Sequence, residues 1–212
     1  MKRKRRSYES AIRAEAAEQT RERILVAARA LLIERGYAAM TMQAIADAAD
    51  VALDTVYASV GKKPALVELL FETALSNTDQ AIPAERRDYV QRLRAAVRAR
   101  DKLAIYAAAV ADIHTRLAPL VHAVEVAGRT HAELAGTWKA IAERRARNMK
   151  LLAADLIGTG EVRPELTVDY IADVLWVTNA PEVFLLFVDS RGWRPADVEA
   201  WLTETWTRLF LR

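Results

Sequence analysis

Cysteine is absent from the chain, which excludes disulfides and thiolate metal sites and suits a reducing compartment. Glycine and proline are scarce, at 7 and 6 in 212 residues. No stretch alternates Val, Ile or Thr with polar residues over the length of a strand. Sheet architectures lose their support, and the abundance of alanine and leucine points to an all-α protein. No apolar run reaches the roughly 18–20 residues of a membrane-crossing helix. The basic opening Met1–Arg6 is not followed by the apolar core of a secretory signal. The expectation is a soluble, cytoplasmic protein without a membrane partner.

Charge of one sign is also nearly missing: the net charge is +3 and the isoelectric point about 9.3. Such a balance permits nucleic-acid binding, but local clusters decide it. No serine–histidine–acid set, glycine-rich phosphate loop or paired carboxylate can be placed, so neither an enzyme nor a cofactor is expected. The three histidines His114, His122 and His131 match no compact zinc spacing, and Pro119 is expected to break any helix holding the first two. No metal site is expected.

What the chain does contain is a dense helical pattern centred on Met40–Leu66. Met42, Ile45, Ala46, Ala49, Val51, Val56 and Val60 fit two short helices with a tight break. Thr41 is placed to cap the first. Asp50 stands at the turn, where Asp is among the few non-glycine residues that tolerate a left-handed backbone. The second helix, about Leu53–Val60, presents Thr55, Tyr57 and Ser59, and Lys62 and Lys63 follow at once. Two short helices joined by such a turn form a helix-turn-helix, whose second helix can enter a major groove.

A helix from Thr20, carrying Ile24, Leu25, Ala28, Leu31 and Leu32 and ending at Gly36, is expected to cover this pair. Residues 20–65 thus read as a three-helix DNA-binding unit, too small to be stable alone. Residues 1–19, opening on Lys2, Arg3, Lys4, Arg5 and Arg6, read as a flexible basic arm. Two roles stay open for it, a solvated tail or a contact with DNA phosphates or a minor groove.

Residues 66–212 read as a second helical domain. Pro64 opens a helix running to about Gln80, and Pro83 stops it. Helices follow around Tyr89–Val97 and Leu103–Ile113, with a separate apolar piece at Leu120–Val126 and a long helix from His131 to about Ile157. Thr167 caps a run through Val188 that Pro181 should kink, and Val198–Phe210 closes the chain. The last two helices read as an antiparallel hairpin rich in large aromatics. Phe184, Phe187, Trp201, Trp206 and Leu209 are the expected dimer contacts, two hairpins making a four-helix bundle. Packing within one chain is the alternative reading.

The segments T-R-E-R-I-L-V-A-A-R-A-L-L-I-E-R-G-Y, T-M-Q-A-I-A-D-A-A-D-V and T-V-Y-A-S-V-G-K-K-P-A-L resemble, in order and spacing, the tetracycline-repressor family of bacterial one-component regulators. The resemblance covers Thr20 to about Leu75. It implies an all-helical homodimer with two DNA-binding heads and a carboxy-terminal domain holding a small-molecule pocket. A ligand there changes the spacing of the heads and frees a palindromic operator. Thr41 and Gln43 fall where the family's second helix touches DNA. Ala52, Leu53, Thr55, Tyr57 and Ser59 fall on its recognition helix, and Lys63 on its frequent phosphate-contacting lysine. Tyr106, His114, Trp138 and Trp176 are the expected lining of the effector pocket, with plain core packing as the alternative for each.

The chain departs from the family at three positions. Asp50 stands for the usual turn glycine, Ala52 for a capping serine, and Asp54 adds a carboxylate to the recognition helix. The second reading is therefore a ligand-binding or interaction protein whose head has weak or lost sequence-specific DNA recognition.

Overall fold

The computed structural model describes residues 2–78 and 82–212, with side chains left out for residues 2–13, 132, 133, 135, 137 and 138. Ten α-helices build it: α1 (Lys2–Ala39), α2 (Met42–Ala49), α3 (Leu53–Val60), α4 (Lys63–Ser76), α5 (Asp88–Ala95), α6 (Ala99–Gly128), α7 (Ala132–Gly158), α8 (Val168–Thr178), α9 (Pro181–Leu185) and α10 (Pro195–Phe210). Among the described residues there is no strand, only one isolated bridge between Val162 and Leu211.

The helix ends follow from local chemistry. Thr41 accepts a hydrogen bond from the Ala44 amide at 3.0 Å and caps α2. Asp50 closes α2 with φ 54°, the left-handed conformation expected of it. Gly36, with φ 76°, turns the end of α1 toward α2. Thr167 caps α8 by accepting from the Tyr170 amide at 3.2 Å. α3 has no side-chain cap, as Ala52 dictates.

Several boundaries differ from the sequence expectation. α1 does not begin at Thr20 but at Lys2, so residues 2–19 continue the helix instead of forming a separate arm. No glycine or proline interrupts them, and alanine and glutamate favour the helix. The Thr20 hydroxyl donates back to the Ala16 carbonyl at 2.8 Å, an interior arrangement and not a cap. α4 stops at Ser76, where Asn77 adopts φ 54°, short of Pro83. Pro119 does not break α6, which runs on to Gly128. Ala118, Leu120 and Val121 are buried around it, and their packing offsets the one hydrogen bond that proline cannot make.

α6 is the axis of the molecule. Its first half contributes Ala99, Leu103, Ala107 and Val110 to a core shared with α7, α8 and α10. Its second half contributes Ile113, Leu117, Leu120 and Val124 to a core shared with α1–α4. The three-helix head therefore has no core of its own; its apolar residues merge with α6. Arginines tie the same joint. Arg29 donates to the Arg116 carbonyl at 2.5 Å, and Arg116 Nε donates to the Ala74 carbonyl at 3.2 Å.

At the carboxy-terminal end, α8 packs on α7 and α10 packs on α6 more than either packs on the other. The expected hairpin is thus spread over the two long helices. Pro181 does end α8, and the segment Pro181–Ser190 continues at 42° to it. No single helix among the described residues is long and apolar enough to cross a membrane.

Candidate functional site

Two surfaces carry polar chemistry. The first is the exposed side of α2–α3. Val56 and Val60 bury α3 against the head core, which leaves the opposite face outward. Thr41, Gln43, Ala52, Tyr57 and Lys62 are exposed there, Tyr57 at 45%. Thr55 and Ser59 are half-buried, and Leu53 packs partly against the core. Gln43 Nε2 donates to Asp47 Oδ1 at 2.7 Å, so it must leave that bond to reach a base. Lys63 is held with its ammonium 3.9 Å above the Tyr37 ring, a cation–π contact that aims it from the start of α4. Arg21, not foreseen from the sequence, donates to the Ser59 carbonyl at 2.5 Å and clamps the end of α3 to α1.

The charge on this surface is modest. Between Thr41 and Lys63 stand three carboxylates, Asp47, Asp50 and Asp54, and two lysines, Lys62 and Lys63. Phosphate contacts position such a head and base contacts specify its site. Replacing Lys63 by alanine is expected to weaken binding to all DNA sequences alike and to lower the slope of log K against log salt by about one. Binding titrations over a series of salt concentrations check this, and an unchanged slope removes Lys63 from the contacts.

The second surface is a cavity of about 790 Å³ enclosed by α4–α7, with Phe71, Leu75, Ile113, Leu117 and Leu152 among its apolar walls. A volume of this order fits a drug-sized ligand. Tyr106 and His114 line it. Trp176 does not: it lies 36% exposed at the surface, under the Arg145 guanidinium 4.6 Å from its ring centroid. Helical spacing gave it an inward position, but α8 turns that face away from the cavity. The side chain of Trp138 lies outside the described residues.

Polar groups converge at one end of the cavity. His114 Nε2 lies 2.7 Å from the Asn179 main-chain carbonyl. Asn179 Nδ2 donates to the Tyr106 hydroxyl at 2.6 Å and contacts Met149 Sδ at 3.1 Å. Burial pushes the Tyr106 phenol well above its ordinary range and brings His114 down to about 4. Asn179, Met149 and Arg145 were not foreseen, because a single Asn at a helix break and an Arg in a polar helix face have no periodic signal.

The His114 shift has a measurable sign. The unfolded chain takes up the imidazole proton below its ordinary value of 6.5, whereas the folded protein resists until about 4. Stability is therefore expected to fall as pH drops from 6.5 to 4 by up to about 3 kcal/mol from this residue. Urea unfolding at pH values across that window checks it, and His114→Gln should flatten the dependence.

The expected dimer residues separate into two groups. Trp206 is fully buried and Phe184 is 5% exposed, both inside their own chain, so they leave nothing for a partner. Trp206 stacks on Tyr106 at 5.6 Å and donates from Nε1 to Thr178 Oγ1 at 2.8 Å. Phe187 is half-buried between Trp193 and Trp201, at 4.5 and 4.6 Å. Leu209 is exposed, as are Tyr170, Val177 and Leu186.

Comparison with known proteins agrees with this geometry. Residues 24–70 match the family model described as bacterial regulatory proteins, tetR family. No curated protein matches the chain in sequence. Solved structures do match in shape. NalD, the secondary repressor of the MexAB-OprM multidrug efflux pump in Pseudomonas aeruginosa, is 22% identical with a TM-score of 0.70, over 93% of this chain and 98% of that one. FadR from Bacillus subtilis, in complex with stearoyl-CoA, is 18% identical with a TM-score of 0.67, over 87% and 96%. A transcriptional regulator from Saccharomonospora viridis in complex with choline is 14% identical with a TM-score of 0.66, over 91% and 97%. At these identities the structures share the fold. Residues 24–70 thus match the tetR-family helix-turn-helix in sequence, and the whole chain has the fold of the solved TetR-type regulators.

Proposed function

We propose that the protein is a ligand-responsive repressor that binds a palindromic operator as a homodimer and is released by a small molecule in the α4–α7 cavity. The observation that carries this reading is α4 itself. Lys63 stands at its first turn beside α3, and Phe71, Glu72 and Leu75 at its other end line the cavity. About 12–18 Å of helix connects the two, so an occupant that displaces the cavity end displaces the DNA-facing end. The exposed apolar side chains Tyr170, Val177, Leu186 and Leu209 supply the surface for the second copy. Two heads of such a dimer enter successive major grooves about 34–36 Å apart.

A gel shift against the DNA upstream of the gene, repeated with candidate small molecules, tests the proposal. A retarded band that a ligand abolishes supports it. The three carboxylates on the helix-turn-helix favour a second reading, a ligand-binding protein with weak or lost DNA recognition. Absence of any retarded band at low salt, together with ligand binding, selects that one.

A further inference from the structure

The polar end of the cavity specifies more than an apolar occupant, and the ligand class it selects rests on the cavity being the effector site. His114 is 5% exposed and Asn179 is 3% exposed, and both line the cavity. The atom facing His114 Nε2 is a carbonyl oxygen, which only accepts, so Nε2 carries the ring proton. The other ring nitrogen, Nδ1, is then a bare acceptor. It has no hydrogen-bond partner among the described residues, and neither does Asn179 Oδ1. Two buried acceptors on touching residues therefore lack a donor.

Arg145 presents the opposite deficit. Its Nε is buried without a partner, while its terminal nitrogen donates to the Trp176 carbonyl. Two acids of the cavity wall are engaged elsewhere, and Glu182 acts on Arg145 only from beyond ion-pair distance. Glu72 holds Arg144 at 2.5 Å and Arg87 at 3.5 Å, and Asp155 holds Lys102 at 2.7 Å. Among the described residues no carboxylate lies within ion-pair distance of Arg145, whose charge acts on both Tyr106 and His114. An unpaired buried donor or acceptor is costly, and a ligand group that pairs it recovers that cost.

We propose that the effector is an apolar carboxylic acid bearing a hydroxyl group. The hydroxyl donates to His114 Nδ1 beside Asn179 Oδ1, the carboxylate pairs with Arg145, and the hydrocarbon body lies against Phe71, Leu75, Ile113 and Leu117. A protonated amine also donates, but the Arg145 charge opposes it. The same site thus rejects cationic amphiphiles.

The full-length protein is titrated with decanoic acid, with hydroxydecanoic acids carrying the hydroxyl beside the carboxylate or at the far end, and with decylamine. Tryptophan fluorescence and thermal unfolding report binding, since Arg145 lies over Trp176. At least one hydroxy acid should bind on the order of ten-fold more tightly than decanoic acid, and decylamine on the order of ten-fold more weakly. Arg145→Gln should erase the preference for acid over amine, and His114→Phe the preference for the hydroxyl. Because the wild-type series carries the same contrast, a variant that fails to fold leaves the test intact. Equal binding of acid and amine, no gain from either hydroxyl, or no binding by any of the acids overturns the proposal. Release from upstream DNA is scored separately. Hydroxy-acid binding that leaves the DNA complex intact keeps this ligand class and removes the repressor reading. Release by decylamine but by no acid keeps the repressor reading and removes the class.

Discussion

A chain shortened to begin at Thr20 is expected to lose on the order of 100-fold in DNA affinity at physiological salt while remaining folded. The helix-turn-helix offers only Lys62 and Lys63 against three carboxylates, so its own attraction for phosphate is small. The missing cations stand in the first turns of α1, where Lys2, Arg3, Lys4, Arg5 and Arg6 are followed by only three acids before Thr20. Each of these that neutralises a phosphate contributes about 0.9 to the salt slope. Loss of the segment should therefore lower the slope by about two or more for each head. Folding should survive, because residues 14–19 are exposed and the buried face of α1 starts at Ile24. Titration of the full and shortened chains against one operator over several salt concentrations decides the matter. Equal slopes would show that the segment is a solvated extension.

Trp206→Ala is expected to destabilise the fold by about 3–5 kcal/mol, the range for emptying a fully buried aromatic site. Trp206 is among the largest fully buried side chains, and it supports the cavity from behind through Tyr106. The substitution removes both the stacked ring and the donor to Thr178. Trp206→Phe separates these, keeping most of the packing and losing the hydrogen bond, at about 1–2 kcal/mol from that bond. Urea unfolding followed by circular dichroism measures both. A loss below about 1 kcal/mol for the alanine variant would mean that the site collapses around the gap.

The head was legible because its punctuation is local. A threonine cap, a left-handed aspartate and a proline in a first turn act within four residues, and Thr41, Asp50 and Pro64 each stand in the conformation their chemistry favours. Pro119 shows where local rules stop. Its cost is set within one turn, but the two cores that hold α6 straight come from residues distant in sequence. Aromatic residues gave a similar ambiguity: Trp206 and Leu209 recur at spacings equally suited to a core or an interface, and one is buried while the other is exposed. The polar end of the cavity was least legible. Tyr106, His114, Met149 and Asn179 meet from two helices and a helix break, and no sequence period relates them.

The joint between head and body is made by arginine side chains reaching main-chain carbonyls. Arg29 takes that of Arg116 and Arg116 that of Ala74, while inside the head Arg21 takes that of Ser59 in the same way. A carbonyl is supplied by whatever residue occupies the position. Position 59 can therefore drift in sequence with the operator without unfastening α3 from α1. The linkage and the DNA-facing surface can then evolve independently, which suits one scaffold to many DNA sites.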